Sequence, residues 1–285
     1  MNTGKRIRMK QILREDGRTV IVALDHGGIA GNMPGIENPA LTIRACRQGG
    51  ADCVLTTRGF ISQSENEWDR TMSVMLRLTG GFTVLRGKFE EELITSVEAA
   101  LVLGAASVIV TIKFGHPREG DFIRNASLVA DACERWGVPL IVEAMAQGSL
   151  VGKPLEGKAD PAGIAMAARM AQELGADMIK TYYTGSAESF AKVVAGCPVP
   201  IVILGGEKSE DDKALFRSVR DSIDAGGAGI AIGRNIWQGG RTLGMTQAMV
   251  GLVHDQWTVE KAMARLDTTD AKAVFAGGGK IDLIS

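Results

Sequence analysis

One phrase recurs along this chain and limits what it can fold into. Gln48-Gly-Gly-Ala-Asp-Cys53, Leu103-Gly-Ala-Ala-Ser107, Leu174-Gly-Ala-Asp177 and Ala225-Gly-Gly-Ala-Gly229 each join a stretch of helical spacing to a short apolar run. A glycine in that place takes the left-handed conformation that ends a helix, and the chain then enters a strand. The apolar runs are Thr19–Leu24, Asp52–Thr56, Thr83–Leu85, Ser107–Ile112, Leu140–Glu143, Met178–Thr181, Ile201–Leu204 and Gly229–Ile232. Most are apolar without alternation, as parallel strands covered on both faces are. Helical spacing is clear over Glu90–Leu103, Phe122–Trp136, Pro161–Leu174, Ala187–Val194 and Asp211–Ala225, and is expected over Glu67–Leu78 and Gly240–Asp255. The pattern predicts an α/β fold, a single (β/α)8 TIM barrel, with a doubly wound open sheet as the other arrangement it allows.

Length agrees, because such barrels reach ~250 residues as one domain and this chain has 285. We expect residues 1–255 to form the barrel, with Lys5–Arg14 as a short helix closing its base. Residues 256–285 are expected to add a helix and a Gly-rich tail, Ala276–Lys280, used in assembly. Net charge is -1 and aromatics make up 5%, so neither a basic footprint nor a stacking platform points to nucleic acid. The apolar runs are strand-sized, which argues against a membrane span. The basic, polar start is not a secretory signal. Cys46, Cys53, Cys133 and Cys197 are scattered with no CxxC, as expected of reduced thiols in a cytoplasmic protein without a metal site.

Barrel enzymes work at the C-terminal ends of their strands, and here those ends carry chemistry. Strand 1 runs into Asp25-His26-Gly27, strand 2 into Thr57-Arg58-Gly59, and strand 4 into Lys113 with His116 beyond it. Strand 5 ends in Glu143, strand 6 in Lys180-Thr181-Tyr182-Tyr183, strand 7 in Gly205-Gly206 and strand 8 in Gly233-Arg234. Thr79-Gly80-Gly81 is expected to precede strand 3. Desolvation lowers a buried lysine's pKa, and a neutral Lys180 amine can form a Schiff base with a carbonyl. Position alone leaves open whether Lys180 is that nucleophile or half of an interior ion pair with Glu143 or Asp25. Asp25 and Glu143 are acid–base candidates on the same footing. Gly205, Gly206, Gly233 and Arg234 fall where loops after strands 7 and 8 commonly bind phosphate. Of Tyr182 and Tyr183, at most one can face inward. His26 on its own reads as a packed histidine, while Lys113, Arg58 and Tyr182 are possible substrate contacts.

Val22-Ala-Leu-Asp-His-Gly27, Ile179-Lys-Thr-Tyr-Tyr183, Gly205-Gly206 and Gly233-Arg-Asn-Ile-Trp-Gln238 resemble one class I aldolase family. That family includes archaeal-type fructose-bisphosphate aldolase, 2-amino-3,7-dideoxy-D-threo-hept-6-ulosonate synthase and the thiolase acting on phosphorylated autoinducer-2. The resemblance runs over roughly residues 5 to 255. It implies that Lys180 is the Schiff-base residue and that Asp25 acts as acid/base or holds substrate. It also implies that Gly206, Gly233 and Arg234 hold a phosphate, and that barrels assemble as decamers of two stacked pentamers. Strand 5 departs from the pattern. The family's aldolases have a catalytic tyrosine before Pro-Arg-Gly, whereas Glu143-Ala-Met-Ala-Gln-Gly148 places Met145 there.

The expected function is therefore a cytoplasmic class I aldolase acting on a phosphorylated keto sugar or related phospho-ketone through Lys180. Glu143 or Asp25, with His26 beside them, would handle protons, and no metal or organic cofactor is needed. Two other functions fit the residues: a coenzyme A-dependent thiolase on a phosphorylated diketone, which also lacks the tyrosine, and a non-catalytic phospho-sugar binder.

Overall fold

The computed structural model describes residues 2–87, 90–150 and 153–268. Its centre is a closed barrel of β1 (Thr19–Ala23), β2 (Cys53–Thr56), β3 (Ser73–Arg77), β4 (Ser107–Phe114), β5 (Leu140–Ala146), β6 (Met178–Thr181), β7 (Ile201–Leu204) and β8 (Gly229–Ile232). Each strand pairs in parallel with its neighbours in sequence. β8 closes onto β1 with Thr19 opposite Gly229, which rules out the open sheet. The four glycines of the repeated phrase, Gly50, Gly104, Gly175 and Gly226, all have φ between 77° and 98°, as a left-handed helix end requires.

Strand parity divides the core. Ile21, Ala23, Leu55, Met75, Ile109, Ile141, Met178, Val202 and Ala231 fill the barrel interior, and Met9 and Ile12 of the helix Thr3–Ile12 plug its base. Residues of opposite parity, such as Val20, Val22, Val54, Val142 and Ile179, face the surrounding helices. The helix Val259–Thr268 buries Ala262 and Leu266 in that outer core. The tail Ala276–Lys280 lies outside the described residues. Among those described, no helix is long and apolar enough to cross a membrane.

The third βα unit differs from expectation. The strand is Ser73–Arg77, where a helix was expected, and Thr83–Leu85 is loop, with Val84 63% and Leu85 95% exposed. Met72-Ser-Val-Met-Leu-Arg-Leu78 is rich in good helix formers, and a short run buried on both faces shows no period to contradict them. Thr79-Gly80 follows the strand and pairs antiparallel with Glu92-Leu93, so the expected helix Glu90–Leu103 shrinks to Val97–Val102. Ser96 starts it by accepting a hydrogen bond from the Ala99 N–H.

At the barrel base, His254 at the end of the helix Thr242–Val253 bridges two carboxylates. Its Nδ1 lies 2.8 Å from Asp16 and its Nε2 2.9 Å from Asp52, which Arg14 also engages. Burial lowers the His254 pKa, but the bonds to Asp52 and Asp16 outweigh it and hold the pKa above its ordinary value. A base stabilised in its charged form gives its full contribution below the unfolded pKa of ~6.5 and loses it as pH rises through the folded value. Melting temperature is therefore expected to fall with rising pH across that window. In His254→Asn the slope should flatten, and an unchanged slope would assign it to other groups.

Candidate active site

Two residues above the apolar interior layer, the same strand faces carry Asp25, Arg77, Thr111, Glu143 and Lys180. This follows from the two-residue period: Ala23, Met75, Ile109, Ile141 and Met178 point inward, so their i+2 neighbours do too. The next step outward gives Met145 and Tyr182, while Val202 and Ala231 lead to Leu204 and Gly233. A cavity of about 460 Å³ opens above this polar layer, lined by Asp25, His26, Arg77, Glu143, Met145, Lys180, Tyr182, Gly205, Gly206, Gly233 and Arg234 among others.

Lys180 is buried and its Nζ lies 2.7 Å from Glu143 Oε1. The other Glu143 oxygen accepts from Arg77 Nη1 at 2.8 Å and from the Thr111 hydroxyl at 2.9 Å. Arg77 Nη1 also donates to Asp25 Oδ2 at 3.0 Å, and Nη2 donates to Glu91 Oε1 at 3.1 Å. One guanidinium thus joins three carboxylates. Burial would raise the Glu143 pKa, but Lys180 and Arg77 outweigh it and hold it down to about 2. Asp25 is likewise driven well below the ordinary range, against burial, by Arg77, His26 and Lys180. Glu91 is 0% exposed, and there burial wins, raising its pKa against the charge of Arg77. Arg77 and Lys180 therefore favour the carboxylate form of both Asp25 and Glu143.

The loops after β7 and β8 meet at the other side of Lys180. Asn235, 1% exposed, donates from Nδ2 to the carbonyls of Gly205 and Glu207, both at 2.9 Å, and so ties the two loops together. Trp237 Nε1 donates to the Ala23 carbonyl at 2.9 Å, fixing the same turn to β1. A Cβ at Gly233 would stand 2.5 Å from that carbonyl oxygen, so only glycine fits. Arg234 lines the cavity, and its buried Nε has no hydrogen-bond partner in the protein. These loops offer a cation and close backbone approach to an anionic group.

The remaining candidates divide. His26 Nδ1 lies 3.4 Å from Asp25 Oδ1, with the ring edge-on to Trp237 at 5.5 Å. Tyr182 lines the cavity, while Tyr183 packs on Phe190 behind the strand. Arg58 is not in the cavity: it is exposed and donates to Thr95 Oγ1 at 2.6 Å. Leu55 faces the interior, so Arg58 has the wrong parity, and it also begins the short helix Arg58–Ser62. Lys113 has the right parity but does not line the cavity. It is 1% exposed, with its Nζ 5.5 Å from the Phe82 ring centre and 6.0 Å from that of Phe122. Burial, opposed by Glu91 and aided by Arg77, lowers its pKa to about 8. Arg77, Glu91 and Asn235 were not anticipated. Arg77 had a signal: an apolar run, a charge, then Thr79-Gly80-Gly81, the same order as at other strand ends. Among the described residues, no group of three or more His, Cys, Asp or Glu is placed to hold a metal ion.

Comparison with known proteins gives this geometry a relationship. Residues 19–239 match the DeoC/LacD family aldolase model. The chain is 35% identical over 265 residues to 2-amino-3,7-dideoxy-D-threo-hept-6-ulosonate synthase of Halobacterium salinarum, covering 93% of this chain and 97% of that one. It is 30% identical over 262 residues to 2-amino-4,5-dihydroxy-6-oxo-7-(phosphonooxy)heptanoate synthase of Streptomyces griseus, covering 92% and 94%. An archaeal fructose-1,6-bisphosphate aldolase, solved with its catalytic Lys covalently bound to the carbinolamine intermediate of the substrate, matches with a TM-score of 0.77 and 30% identity over 87% of this chain and 99% of that one. The chain belongs to the DeoC/LacD family of aldolases and is a class I aldolase built on the (β/α)8 barrel.

Proposed function

We propose that this aldolase makes or breaks a carbon–carbon bond in a phosphorylated keto sugar or related phospho-ketone, with Lys180 as the Schiff-base residue. The observation that carries this is one arrangement. A buried lysine amine sits at the cavity floor, 2.7 Å from Glu143, beneath a wall made by Gly205, Gly206, Gly233 and Arg234. Phosphate held at that wall uses remote binding energy to bring the ketone carbon to Lys180.

In this reading the Lys180 amine gives up its proton and attacks the ketone carbon. The carbinolamine loses water and becomes an iminium. In the cleavage direction a hydroxyl two carbons away loses its proton, the carbon–carbon bond breaks, and the aldehyde leaves. The electron pair moves into the iminium to give an enamine. That enamine takes a proton, and water then releases the ketone and restores the amine. The iminium is the electron sink, so the chemistry asks for no metal or organic cofactor.

Glu143 and Asp25 stand on the proton path, with His26 against Asp25. Met145 faces the cavity two residues beyond Glu143 and has no proton to offer. Glu143 takes that duty because its basicity follows the state of Lys180. Lys180 and Arg77 together hold the carboxyl at about 2; loss of the lysine charge lets it rise in the neutral carbinolamine, where it can pass the proton that releases water. The same reading places the protein in the cytoplasm as a homo-oligomer, a decamer of stacked pentamers by resemblance, with residues 256–285 serving assembly.

Borohydride reduction in the presence of dihydroxyacetone phosphate tests the assignment. Peptide mass should show one reduced three-carbon phosphate adduct, on the peptide holding Lys180. An adduct elsewhere would overturn it. No adduct, with the phosphate ligand bound, would favour the coenzyme A-dependent thiolase.

A further inference from the structure

Arg77 borders the cavity, yet its N–H groups are all spent inside the protein. A guanidinium carries five N–H donors in one rigid plane. Nε donates to the Thr79 carbonyl at 3.3 Å. Nη1 donates to Asp25 Oδ2 at 3.0 Å and to Glu143 Oε2 at 2.8 Å. Nη2 donates to Glu91 Oε1 at 3.1 Å and to the Thr111 hydroxyl. Every donor has its acceptor, and the side chain is 7% exposed. A buried cation in that state is built to hold its neighbours rather than a ligand.

Thr111 completes the arrangement. Its hydroxyl accepts from Arg77 and donates to Glu143 Oε2 at 2.9 Å. That carboxylate oxygen therefore has two donors, from the adjacent strands β3 and β4, and the carboxylate cannot turn without breaking both. Its other oxygen, Oε1, is left to Lys180 at 2.7 Å. Asp25 is fixed in the same way, with Oδ2 on Arg77 and Oδ1 on the side of His26, 3.4 Å from its Nδ1. One nitrogen, Nη1, thus sets the two carboxylates relative to each other. Glu91, 0% exposed, holds the guanidinium from its other nitrogen and stops the plane from swinging.

Resting on the proton-transfer role given to Glu143 above, we infer that Arg77 and Thr111 are positioning residues for the carbon–carbon chemistry. They act through the carboxylates, holding Glu143 Oε1 against Lys180 and Asp25 in a fixed relation to it before substrate arrives. A misplacement of ~1 Å costs about 10²-fold in rate, so a fork that fixes both carboxylates has a large effect on turnover. Lysine does not replace it, because an ammonium is a point charge without the planar fork.

Proton exchange at the donor ketone tests this, because it needs no aldehyde. Lys180 condenses with dihydroxyacetone phosphate and releases water. One of the two carboxylates then takes a proton from the carbon next to the iminium, which leaves the enamine. In deuterium oxide that carbon takes back a deuteron, and water releases the labelled ketone and restores the amine. The exchange rate is read by mass and divided by the number of Lys180 sites that borohydride traps on long incubation, so unfolded chains do not count.

Arg77→Lys should lower kcat for exchange by about 10²-fold per trapped site, with KM for dihydroxyacetone phosphate within about threefold of the parent. Thr111→Val keeps side-chain shape and the charge of the site, and should lower the same rate about tenfold. It decides the matter if Arg77→Lys is too unstable to study. A per-site rate within about twofold of the parent, in Thr111→Val or in folded Arg77→Lys, would leave the pair a structural role and overturn the inference. A rise in KM at constant kcat would overturn it as well, by making Arg77 a substrate contact. No borohydride adduct in the parent protein removes the Schiff-base reading and this inference with it. An adduct with undiminished variant rates removes this inference alone.

Discussion

Lys180→Met is expected to lower kcat by about 10⁴-fold or more while leaving the fold and phosphate-dependent binding in place. Methionine matches the lysine stem in length and apolar character but has no amine, so neither carbinolamine nor iminium can form. The wall of Gly205, Gly206, Gly233 and Arg234, proposed above to hold phosphate, is untouched. Glu143 is not left alone, because Arg77 and the Thr111 hydroxyl still reach its second oxygen at 2.8 and 2.9 Å. The melting temperature should therefore move by only a few degrees (~1 kcal/mol). Steady-state turnover, paired with titration of the phosphate-bearing ketone, checks both halves. Turnover within tenfold of the parent protein would sink the Schiff-base mechanism.

Arg77→Leu has the largest expected effect on stability. The guanidinium is the shared partner of Asp25, Glu91 and Glu143, all buried or nearly so. Removing one partner of a buried charge network costs ~3–5 kcal/mol, which in a chain of this size is a drop in melting temperature on the order of 10 °C. The pH dependence has a definite sign. Glu143 and Asp25 have folded pKa values below their unfolded ones, so they stabilise the protein above pH ~4 and lose this as pH falls through the folded values. The gap between Arg77→Leu and the parent should be full at pH 7 and narrow as pH falls below ~4. Arg77→Lys should recover charge but not the fork that reaches three carboxylates at once. Equal melting temperatures at pH 7 would show that the network contributes nothing to stability.

Much of the site is legible because strand ends in a parallel barrel converge. Asp25, Glu143 and Lys180 each close an apolar run, and parity then puts them in one layer. Parity also separates Tyr182 from Tyr183 and would have removed Arg58, one step out of phase with Leu55. The failure at β3 has a different origin. Met72–Leu78 carries helix-forming side chains in a strand, and nothing local distinguishes a short run buried on both faces from a helix. Losing that strand hid Arg77, the residue on which the charge state of the site turns.

The sequence by itself determined the architecture and marked candidate side chains at most strand ends. Gly–Ala helix ends and short apolar runs are local signals, and closure of the barrel follows from repeating them. Three things depended on the tertiary structure. Arg77 joins carboxylates from residues 25, 91 and 143, contacts that span 14 to 66 positions. Lys113, correct in parity, is covered by Phe82 from another loop. The cavity wall brings Phe82 and Val84, after β3, into one space with Gly205 and Arg234, after β7 and β8. Electrostatics and occlusion act through space, so they appear only once the chain has brought distant residues together.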